Sequence, residues 1–306
     1  MKSLKYYFIS EKGTLHWLKE NTSKIDDEGL IMYKLPYTQR FVYYPVNMAL
    51  YALGNFEMFL DTHDKKYLEI FLKHADWFVE NISIKDDFGV WEHDYVLPYY
   101  NFNRVPWAHG MAQGLIISVL LRAYQIKKIH KYLDTALLAL NAFEKDIEKG
   151  GVRFIDKEGN IWYEEYAILP PPHILNGFIF ALFGIYEFYQ VTESKNALRL
   201  FDNGISTLEK KLPLYDLGYW SLYNLLHKYP AERHYHLLHV KQLKTLYRIT
   251  HKRIFQEYAN RWEEYAHKRI NERRAYFRRF FVHLRRHKTK IFNIYMARKR
   301  WMSDAK

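Results

Sequence analysis

Residues 173–190 read HILNGFIFALFGIYEFYQ, an apolar stretch in which Gly177, Ala181 and Gly184 recur at helical spacing. Apolar residues on every side of a helix indicate that it is buried, and small residues along one face let a second helix approach closely. A more polar segment follows at 194–210 and predicts a second helix. Together the two segments predict a helical hairpin with a buried inner member and an outer member that faces solvent.

The same pattern occurs four times along the chain. Apolar segments rich in small residues begin at intervals of 63, 66 and 64 residues, near Tyr44, Trp107, His173 and Leu237. Second helices are predicted at 64–82, 130–148, 194–210 and 251–267. A period this constant, built from helix pairs, favours hairpins arranged around a ring or along a solenoid. An ordinary α-helical bundle with coincidental spacing is the alternative.

Three connections between the hairpins are rich in Tyr, Trp, His, Asp and Pro. They contain short strand-like pieces and span 83–106, 149–172 and 211–236. In a ring of hairpins such connections gather at one end, and loops held by a rigid scaffold commonly carry function. The chemistry of the protein is therefore expected on these three segments.

The positive charge of the chain is concentrated near its C-terminus. Residues 268–306 contain 14 of the 46 Lys and Arg residues but only two of the 34 acidic ones, Glu272 and Asp304. A helical stripe of apolar residues runs through this segment: Phe277, Phe280, Phe281, Leu284, Ile291, Ile294 and Tyr295. The pattern predicts a basic amphipathic helix for an anionic membrane surface, an acidic polymer or a partner helix, and a solvated tail that packs back on the body is the alternative. Nucleic acid is not favoured, because no nucleic-acid-binding motif accompanies the charge.

Composition excludes several functional classes and suggests a division of the chain. The 306 residues include no cysteine, so disulfides, thiolate nucleophiles and Cys-ligated metals are excluded. A mean hydropathy of −0.40 argues against a polytopic membrane protein. The start lacks the apolar core of a signal peptide, which predicts a cytoplasmic location, peripheral at the inner membrane face. The predicted parts are a lead-in (1–40), a helical domain (41–267) and the basic tail (268–306).

Acid–base residues cluster on or beside the connections. The clusters are Trp162-Tyr163-Glu164-Glu165-Tyr166, Leu212–Asp216 followed by Tyr223, and Arg233-His234-Tyr235-His236 with His239. Carboxylates, phenols and imidazoles without Ser or Cys nucleophile spacing favour proton transfer over acyl transfer. His236 and His239 could share a metal, but no third ligand lies at suitable spacing, so no metal is predicted.

These motifs resemble the C-terminal domain of the D-glucuronyl C5-epimerases. The resemblance covers roughly residues 40–266 and rests on Trp162–Tyr166, Leu175–Phe178, Leu212–Asp216, Tyr235-His236, Tyr44-Pro45, Tyr51–Leu53, Met111–Gly114 and Arg122–Tyr124. It implies an (α/α) toroid and an isomerase that converts D-glucuronate into L-iduronate within a glycan such as heparosan. It further implies that no cofactor is needed and that the protein forms a homodimer.

The resemblance also assigns roles to individual residues. Glu165, Tyr166, Tyr223 and Tyr235 match the catalytic positions of the family, with Glu165 and Tyr235 expected on opposite faces of the sugar ring. The residues expected to contact substrate are Trp107, Gln113, Asn176, Arg233, His236 and His239. A free phenol has a pKa near 10, so a tyrosine base needs cationic or hydrogen-bonding neighbours, and the last three residues are candidates. A buried hydrogen-bonding role suits Gln113 equally well.

The chain departs from the family pattern in one motif and in its length before the toroid. Where the family has Tyr-Asp-Leu-Arg-His, this chain has Tyr223-Asn224-Leu225-Leu226-His227, so Leu226 replaces the arginine expected to grip an acidic group. The 40 residues before the toroid leave no room for the β-rich region of the animal enzymes, so part of the cleft is expected to be missing or to be supplied by a second subunit. Two alternatives stay open, a polysaccharide lyase on a similar toroid and a non-catalytic glycan- or membrane-binding module.

Overall fold

Four helical hairpins dominate the computed structural model, which describes residues 3–15, 23–36, 38–100, 102 and 104–283. The inner helices of the hairpins are α1 (Pro45–Thr62), α3 (Gly110–Lys127), α5 (Leu175–Thr192) and α7 (Arg233–Thr250). The outer helices are α2 (Lys65–Glu80), α4 (His130–Asn141), α6 (Lys195–Lys211) and α8 (Arg253–His267). This order confirms the predicted repeat of hairpins.

The same turn closes every hairpin. Each inner helix ends at a left-handed residue with φ between 56° and 58°, namely His63, Lys128, Glu193 and His251. The N–H of this residue donates to the carbonyl four positions earlier, at 2.7–2.8 Å. One left-handed residue stops the helix and reverses the chain, so each outer helix begins two residues later. The repeated turn gives all four hairpins the same closure, and the left-handed residues follow one another at intervals of 65, 65 and 58 residues.

The inner helices pack side by side in chain order, and the closest approach is between α3 and α5. A Cβ atom added to Gly184 would overlap the backbone of Gly114, and one added to Gly114 would overlap the backbone at Ala181. The small residues therefore let the two helix backbones touch, as the sequence predicts. The result is an (α/α) toroid of four hairpins.

A small antiparallel sheet precedes every inner helix. The strands are β1 (Ser23–Ile25), β2 (Ile31–Lys34), β3 (Phe41–Val42), β4 (Ser83–Lys85), β5 (Phe88–Val90), β6 (Arg153–Ile155), β7 (Ile161–Tyr163), β8 (Leu222–Asn224) and β9 (Tyr229–Pro230). β1–β3 form a three-stranded sheet before α1, and the others form hairpins before α3, α5 and α7. The sequence predicts only the last three of these connections, because β1–β3 are short and lack clear alternation. All four connections reach the N-terminal ends of the inner helices.

Two helix boundaries differ from the sequence prediction. α4 ends at Asn141, before two short 3₁₀ turns, rather than near residue 148. α7 begins at Arg233 rather than near Leu237, which places Tyr235 and His236 within the same helix as His239 and not on the preceding connection. This second difference decides which of these side chains reach the cavity described below.

The N-terminal segment crosses the inner helices and is held by a buried ion pair. The Arg122 guanidinium on α3 donates to both carboxylate oxygens of Glu187 on α5, each at 2.8 Å, and both side chains are almost fully buried. The same guanidinium donates to the carbonyl oxygens of Lys5 and Tyr6. The Tyr7 ring stacks on an aromatic residue of α5. Arg122 thus joins three separate parts of the chain.

Residues 269–283 form a further helix, α9, in the described part of the basic tail. Phe277, Phe280 and Phe281 of the predicted apolar stripe lie on α9 and are 50–59% exposed. The remaining members of the stripe (Leu284, Ile291, Ile294 and Tyr295) lie outside the described residues. Within the described part of the chain, no helix is long and apolar enough to span a bilayer.

Candidate active site

A cavity of about 390 Å³ opens at the N-terminal ends of the inner helices. Nine of its lining residues are tyrosines: Tyr33, Tyr44, Tyr95, Tyr99, Tyr100, Tyr166, Tyr223, Tyr229 and Tyr235. The other polar residues of the wall are Asn224, His227, Glu232 and His283. No lysine or arginine is among the described residues that line it. The wall combines aromatic faces, which suit sugar rings, with many hydroxyl donors.

Glu165 lies behind the tyrosine wall with its carboxylate held by two neighbours. It follows the end of β7, and its side chain is only 4% exposed. The Tyr223 hydroxyl donates to Oε1, and the Asn176 amide donates to Oε2, each at 3.4 Å. Burial raises the pKa of Glu165 to about 8, although hydrogen bonds from Tyr166 and Tyr223 oppose that shift. A carboxyl with such a pKa can both give and take a proton near neutral pH.

The preceding residue, Glu164, points to the opposite side and fixes the loop. Its carboxylate accepts hydrogen bonds from the His173 backbone N–H at 2.9 Å and from His173 Nδ1 at 2.5 Å. The Tyr215 hydroxyl donates to the His173 carbonyl at 2.7 Å. Adjacent residues of an extended chain face opposite ways, so anchoring Glu164 sets the direction of Glu165.

A glycine on α5 makes room for the Glu165 carboxylate. A Cβ atom added to Gly177 would overlap the Glu165 side chain, which packs directly on this turn of the helix. Asn176, the preceding residue, supplies the amide that binds Glu165. The small residue at position 177 therefore lets the carboxylate lie against the start of α5.

Replacing Gly177 by alanine is expected to lower the turnover of the site by about 100-fold, because the new methyl group displaces Glu165 from its position. The effect is measured as the rate of the reaction proposed below, on protein whose fold is checked by circular dichroism. Gly13→Ala is the matched control, since a Cβ at residue 13 meets no atom within 4 Å. Unchanged activity in Gly177→Ala would show that the carboxylate position is unimportant.

Three tyrosines surround Glu165 and contact one another. The rings of Tyr223 and Tyr235 are 4.8 Å apart, and Tyr223 also reaches Glu165. Tyr166 lines the same cavity, with its ring 5.1 Å from His109. Burial raises the pKa of all three phenols, and the nearby Glu165 carboxylate raises them further. The structure thus brings the four predicted catalytic residues together, with the phenols in their protonated, donating form.

Tyr44 is a cavity residue to which the sequence analysis assigned no role. It immediately precedes α1, and its hydroxyl lies 3.4 Å from His109 Nε2, where His109 immediately precedes α3. Burial raises the pKa of Tyr44, and Glu165 raises it further. A usable signal exists in the sequence, because the residues that immediately precede α1 and α7, Tyr44 and Glu232, both line the cavity.

Two of the predicted substrate contacts, Gln113 and Trp107, hold the scaffold instead. The Gln113 side chain is fully buried and donates to the carbonyls of Gly89 and Ala139, which joins α3 to β5 and α4. The Trp107 indole N–H donates to the Tyr95 carbonyl at 2.7 Å, and only 4% of the residue is exposed. Neither residue lines the cavity, so both predictions are corrected.

The predicted cationic neighbours of Tyr235 also lie elsewhere. Arg233 points towards α9 and pairs with Glu272 at 3.1 Å. His236 and His239 are fully buried and face Ser221, whose hydroxyl lies 2.7 and 3.0 Å from their Nδ1 atoms. Burial lowers the pKa of His236 to about 4 and that of His239 well below its usual range. They are neutral core residues, and the prediction that they contact substrate or assist a tyrosine base is corrected.

Asn176, which the sequence predicts to contact substrate, instead donates a hydrogen bond to Glu165. It is 2% exposed, and besides binding the carboxylate it accepts a hydrogen bond from Gln242 through its backbone carbonyl. Leu226, at the position where an arginine was expected, donates its backbone N–H to the Pro172 carbonyl. Leu226 thus replaces the family's arginine in a protein whose cavity wall has no Lys or Arg among the described residues.

A family model described as D-glucuronyl C5-epimerase C-terminus matches residues 85–264. The chain belongs to this family. A D-glucuronyl C5-epimerase of Caenorhabditis elegans is 34% identical over 230 residues, which cover 66% of this chain and 36% of the nematode protein. An uncharacterized protein of Methanocaldococcus jannaschii is 34% identical over 200 residues, which cover 64% of each chain. The match thus spans less than two thirds of either relative.

Solved structures with the same architecture are far more distant in sequence. A family 76 α-mannanase of Bacteroides thetaiotaomicron superposes with a TM-score of 0.50 at 12% identity, over 84% of this chain and 70% of that one. A protein from Listeria innocua superposes with a TM-score of 0.52 at 12% identity, over 72% and 59% of the two chains. At such identity the similarity concerns the toroid fold and not the chemistry.

Proposed function

We propose that this protein is a uronate C5-epimerase, which interconverts D-glucuronate and L-iduronate residues within a glycan. The observation that carries the proposal is Glu165, a buried carboxyl with a pKa of about 8, in contact with Tyr223 beside Tyr235 at a tyrosine-lined cavity. Membership of the epimerase family supports the same reaction. The hydrogen on C5 lies next to the uronate carboxylate, so inversion requires one group to remove it and another to replace it.

Their raised pKa values give Glu165 and Tyr235 different roles, with Glu165 as the base and Tyr235 as the acid. The ionised Glu165 takes the C5 proton, and the electron pair of the broken C–H bond moves into the sugar carboxylate as an enolate. The Tyr235 phenol, kept protonated by burial, then donates its proton to the other face of C5. Tyr223, which contacts both residues, carries the proton from Glu165 back to the Tyr235 phenolate. Tyr166 donates to Glu165 and modulates its basicity.

The cavity wall favours a uronate glycan without sulfate groups. Hydroxyls of the tyrosines, the Asn224 amide and the His227 ring are the donors available to the substrate carboxylate. Sulfate groups are commonly bound by Lys or Arg, and neither lines the described cavity. Glu232 at the rim adds negative charge. Unsulfated heparosan is therefore the first substrate to test.

The reaction is tested by following deuterium at C5 with NMR after incubation of heparosan oligosaccharides in D2O. Tyr235→Phe is expected to lower deuterium incorporation by about 100-fold, because phenylalanine has no proton to donate. Tyr67→Phe, on the outer helix α2 and outside the cavity lining, is the matched control and is expected to retain activity. An unsaturated, absorbing product would indicate a lyase, and glycan binding without exchange would indicate a non-catalytic module.

The proposal includes a homodimer and a peripheral position at the inner face of the membrane. The dimer is supported only by resemblance to the family, and sedimentation velocity tests it directly. The membrane position is supported by the basic residues of 268–306 and by the exposed apolar side chains of α9. Recovery of the protein in the membrane fraction after cell lysis, and its release by high salt, would agree with this location.

A further inference from the structure

One side of α9 packs against the body of the protein along the rim of the cavity. Its Glu272 carboxylate accepts a hydrogen bond from Arg233, the first residue of α7, at 3.1 Å. The Arg279 guanidinium donates to the Ala231 carbonyl, between β9 and α7, at 2.7 Å. Ala275, on the same side of the helix, is fully buried. These contacts hold α9 against the body at the point where α7 brings Tyr235 to the cavity.

The last described turn of α9 reaches the cavity itself. The His283 ring lies 6.3 Å from the Tyr99 ring, in a stacked arrangement, and 5.7 Å from the Tyr229 ring. All three side chains line the cavity. α9 is therefore part of the cavity wall, and any partner that holds α9 also holds the mouth of the cavity.

The opposite side of α9 exposes several large apolar side chains to solvent, with Arg269 and Arg273 among them. Five large side chains on this face are each 50–60% exposed: Ile270, Tyr276, Phe277, Phe280 and Phe281. We call these five residues the outer face of α9. Clustered side chains of this size are uncommon on a surface that meets only water, and they mark an interaction site.

The charge around the outer face selects the kind of partner. The tail carries 14 Lys and Arg residues against two acidic ones, and one of those two, Glu272, is already paired with Arg233. A basic helix with an apolar face lies in the interface of an anionic bilayer, with its apolar side chains among the acyl chains and its cations at the headgroups. A hydrated polysaccharide or a nucleic acid would attract the charge but would leave Ile270 and the phenyl rings in water.

We propose that the outer face of α9 docks on an anionic phospholipid bilayer and thereby holds the catalytic cavity, through His283, at the lipid surface. The consequence for catalysis rests on the proposed epimerase function, whereas the docking itself does not. If both hold, the uronate glycan that enters the cavity is one attached to the same membrane, and the bilayer promotes the reaction. For this role α9 needs only to lie in the bilayer–water interface and does not need to span the membrane.

Docking is tested by co-sedimentation with vesicles of phosphatidylcholine, with and without phosphatidylglycerol. The wild-type protein is expected to partition onto the vesicles that contain phosphatidylglycerol. The double variant Phe280→Glu/Phe281→Glu is expected to partition at least about tenfold less, because it places two charges in the acyl region. Ile84→Glu is the matched control, since Ile84 is 63% exposed on β4, away from α9. Circular dichroism and a second variant, Phe277→Glu, separate loss of docking from loss of fold.

Equal partitioning of wild type and the double variant would overturn the proposal. So would Phe280- and Phe281-dependent binding to immobilised heparosan or to DNA in place of vesicles, which would identify a polyanion as the partner.

The link between membrane docking of α9 and catalysis in the cavity is tested by His283→Ala and by C5 exchange in the presence of vesicles. His283→Ala is expected to lower deuterium incorporation about tenfold while leaving partitioning unchanged, because it alters the wall and not the outer face. The Phe280→Glu/Phe281→Glu variant is expected to keep the exchange rate on a short free oligosaccharide but to lose stimulation by vesicles. Unaltered exchange in His283→Ala would overturn the coupling. Intact partitioning with no exchange by the wild type would instead count against the epimerase function.

Discussion

Replacing Glu165 by glutamine is expected to lower the rate of C5 proton exchange by about 1,000-fold. Glutamine has nearly the same shape and its single oxygen can keep one of the two hydrogen bonds that Glu165 accepts from Tyr223 and Asn176, but it cannot carry the C5 proton. Deuterium incorporation into heparosan measures the effect, and Glu232→Gln, at an exposed acid of the same cavity wall, is the matched control. Activity within tenfold of wild type would remove Glu165 from the proposed reaction.

The pKa of Glu165 also predicts how activity varies with pH. Burial raises that pKa to about 8, so the ionised, proton-accepting form increases as the pH rises towards this value. The wild-type kcat/KM is therefore expected to rise between pH 6 and 8, reporting ionisation of the free protein. A rate that is flat across this range would contradict Glu165 as the base.

The same substitution is expected to stabilise the fold at alkaline pH. The pKa of Glu165 is about 8 in the folded protein, against an ordinary value of 4.5, so between these values the folded protein binds a proton that the unfolded chain has released. Stability therefore falls as the pH rises through this window. Glu165→Gln removes the penalty and is expected to raise the free energy of unfolding by on the order of 2 kcal/mol at pH 8. Urea unfolding at pH 5 and pH 8 measures the difference, which should shrink at the lower pH.

Replacing Arg122 by methionine is expected to lower the free energy of unfolding by about 3–5 kcal/mol. The change leaves the Glu187 carboxylate buried between α3 and α5 without its cation, and it removes the donors to the carbonyls of Lys5 and Tyr6. Thermal or urea unfolding measures the loss. Because Arg122 is remote from the cavity lining, protein that stays folded should retain C5 exchange.

Two further variants make this result specific to the buried pair. Arg248→Met, on the exposed side of α7, is expected to change stability by less than about 0.5 kcal/mol. The double variant Arg122→Met/Glu187→Leu is expected to recover part of the loss, since it removes the unpaired charge as well. A single variant as stable as Arg248→Met would mean that the pair contributes little to the fold.

Much of the architecture follows from local patterns in the chain. The apolar segments and their regular intervals predict the hairpins, and the glycines at positions 114 and 184 predict close contacts of the inner helices, whereas Gly177 lies against Glu165 and not against a helix. The β1–β3 sheet escaped prediction because its strands are only two to four residues long and depend on pairing with one another. The motifs also point to the acid–base residues as a group, since Tyr166, Tyr223 and Tyr235 line one cavity and Glu165 lies directly behind them.

Tertiary contacts decide which surroundings each polar side chain meets in the folded protein. His236 and His239 are three residues apart, so the sequence determines that they share a face of α7. That this face meets Ser221 and the core, while Tyr235 meets the cavity, depends on where α7 begins and on which elements pack around it. In the same way Glu164 and Glu165 must point apart, but only the positions of His173 and Gly177 determine which carboxylate faces the tyrosines. Periodicity is a property of the local chain, whereas burial depends on neighbours that are distant in sequence.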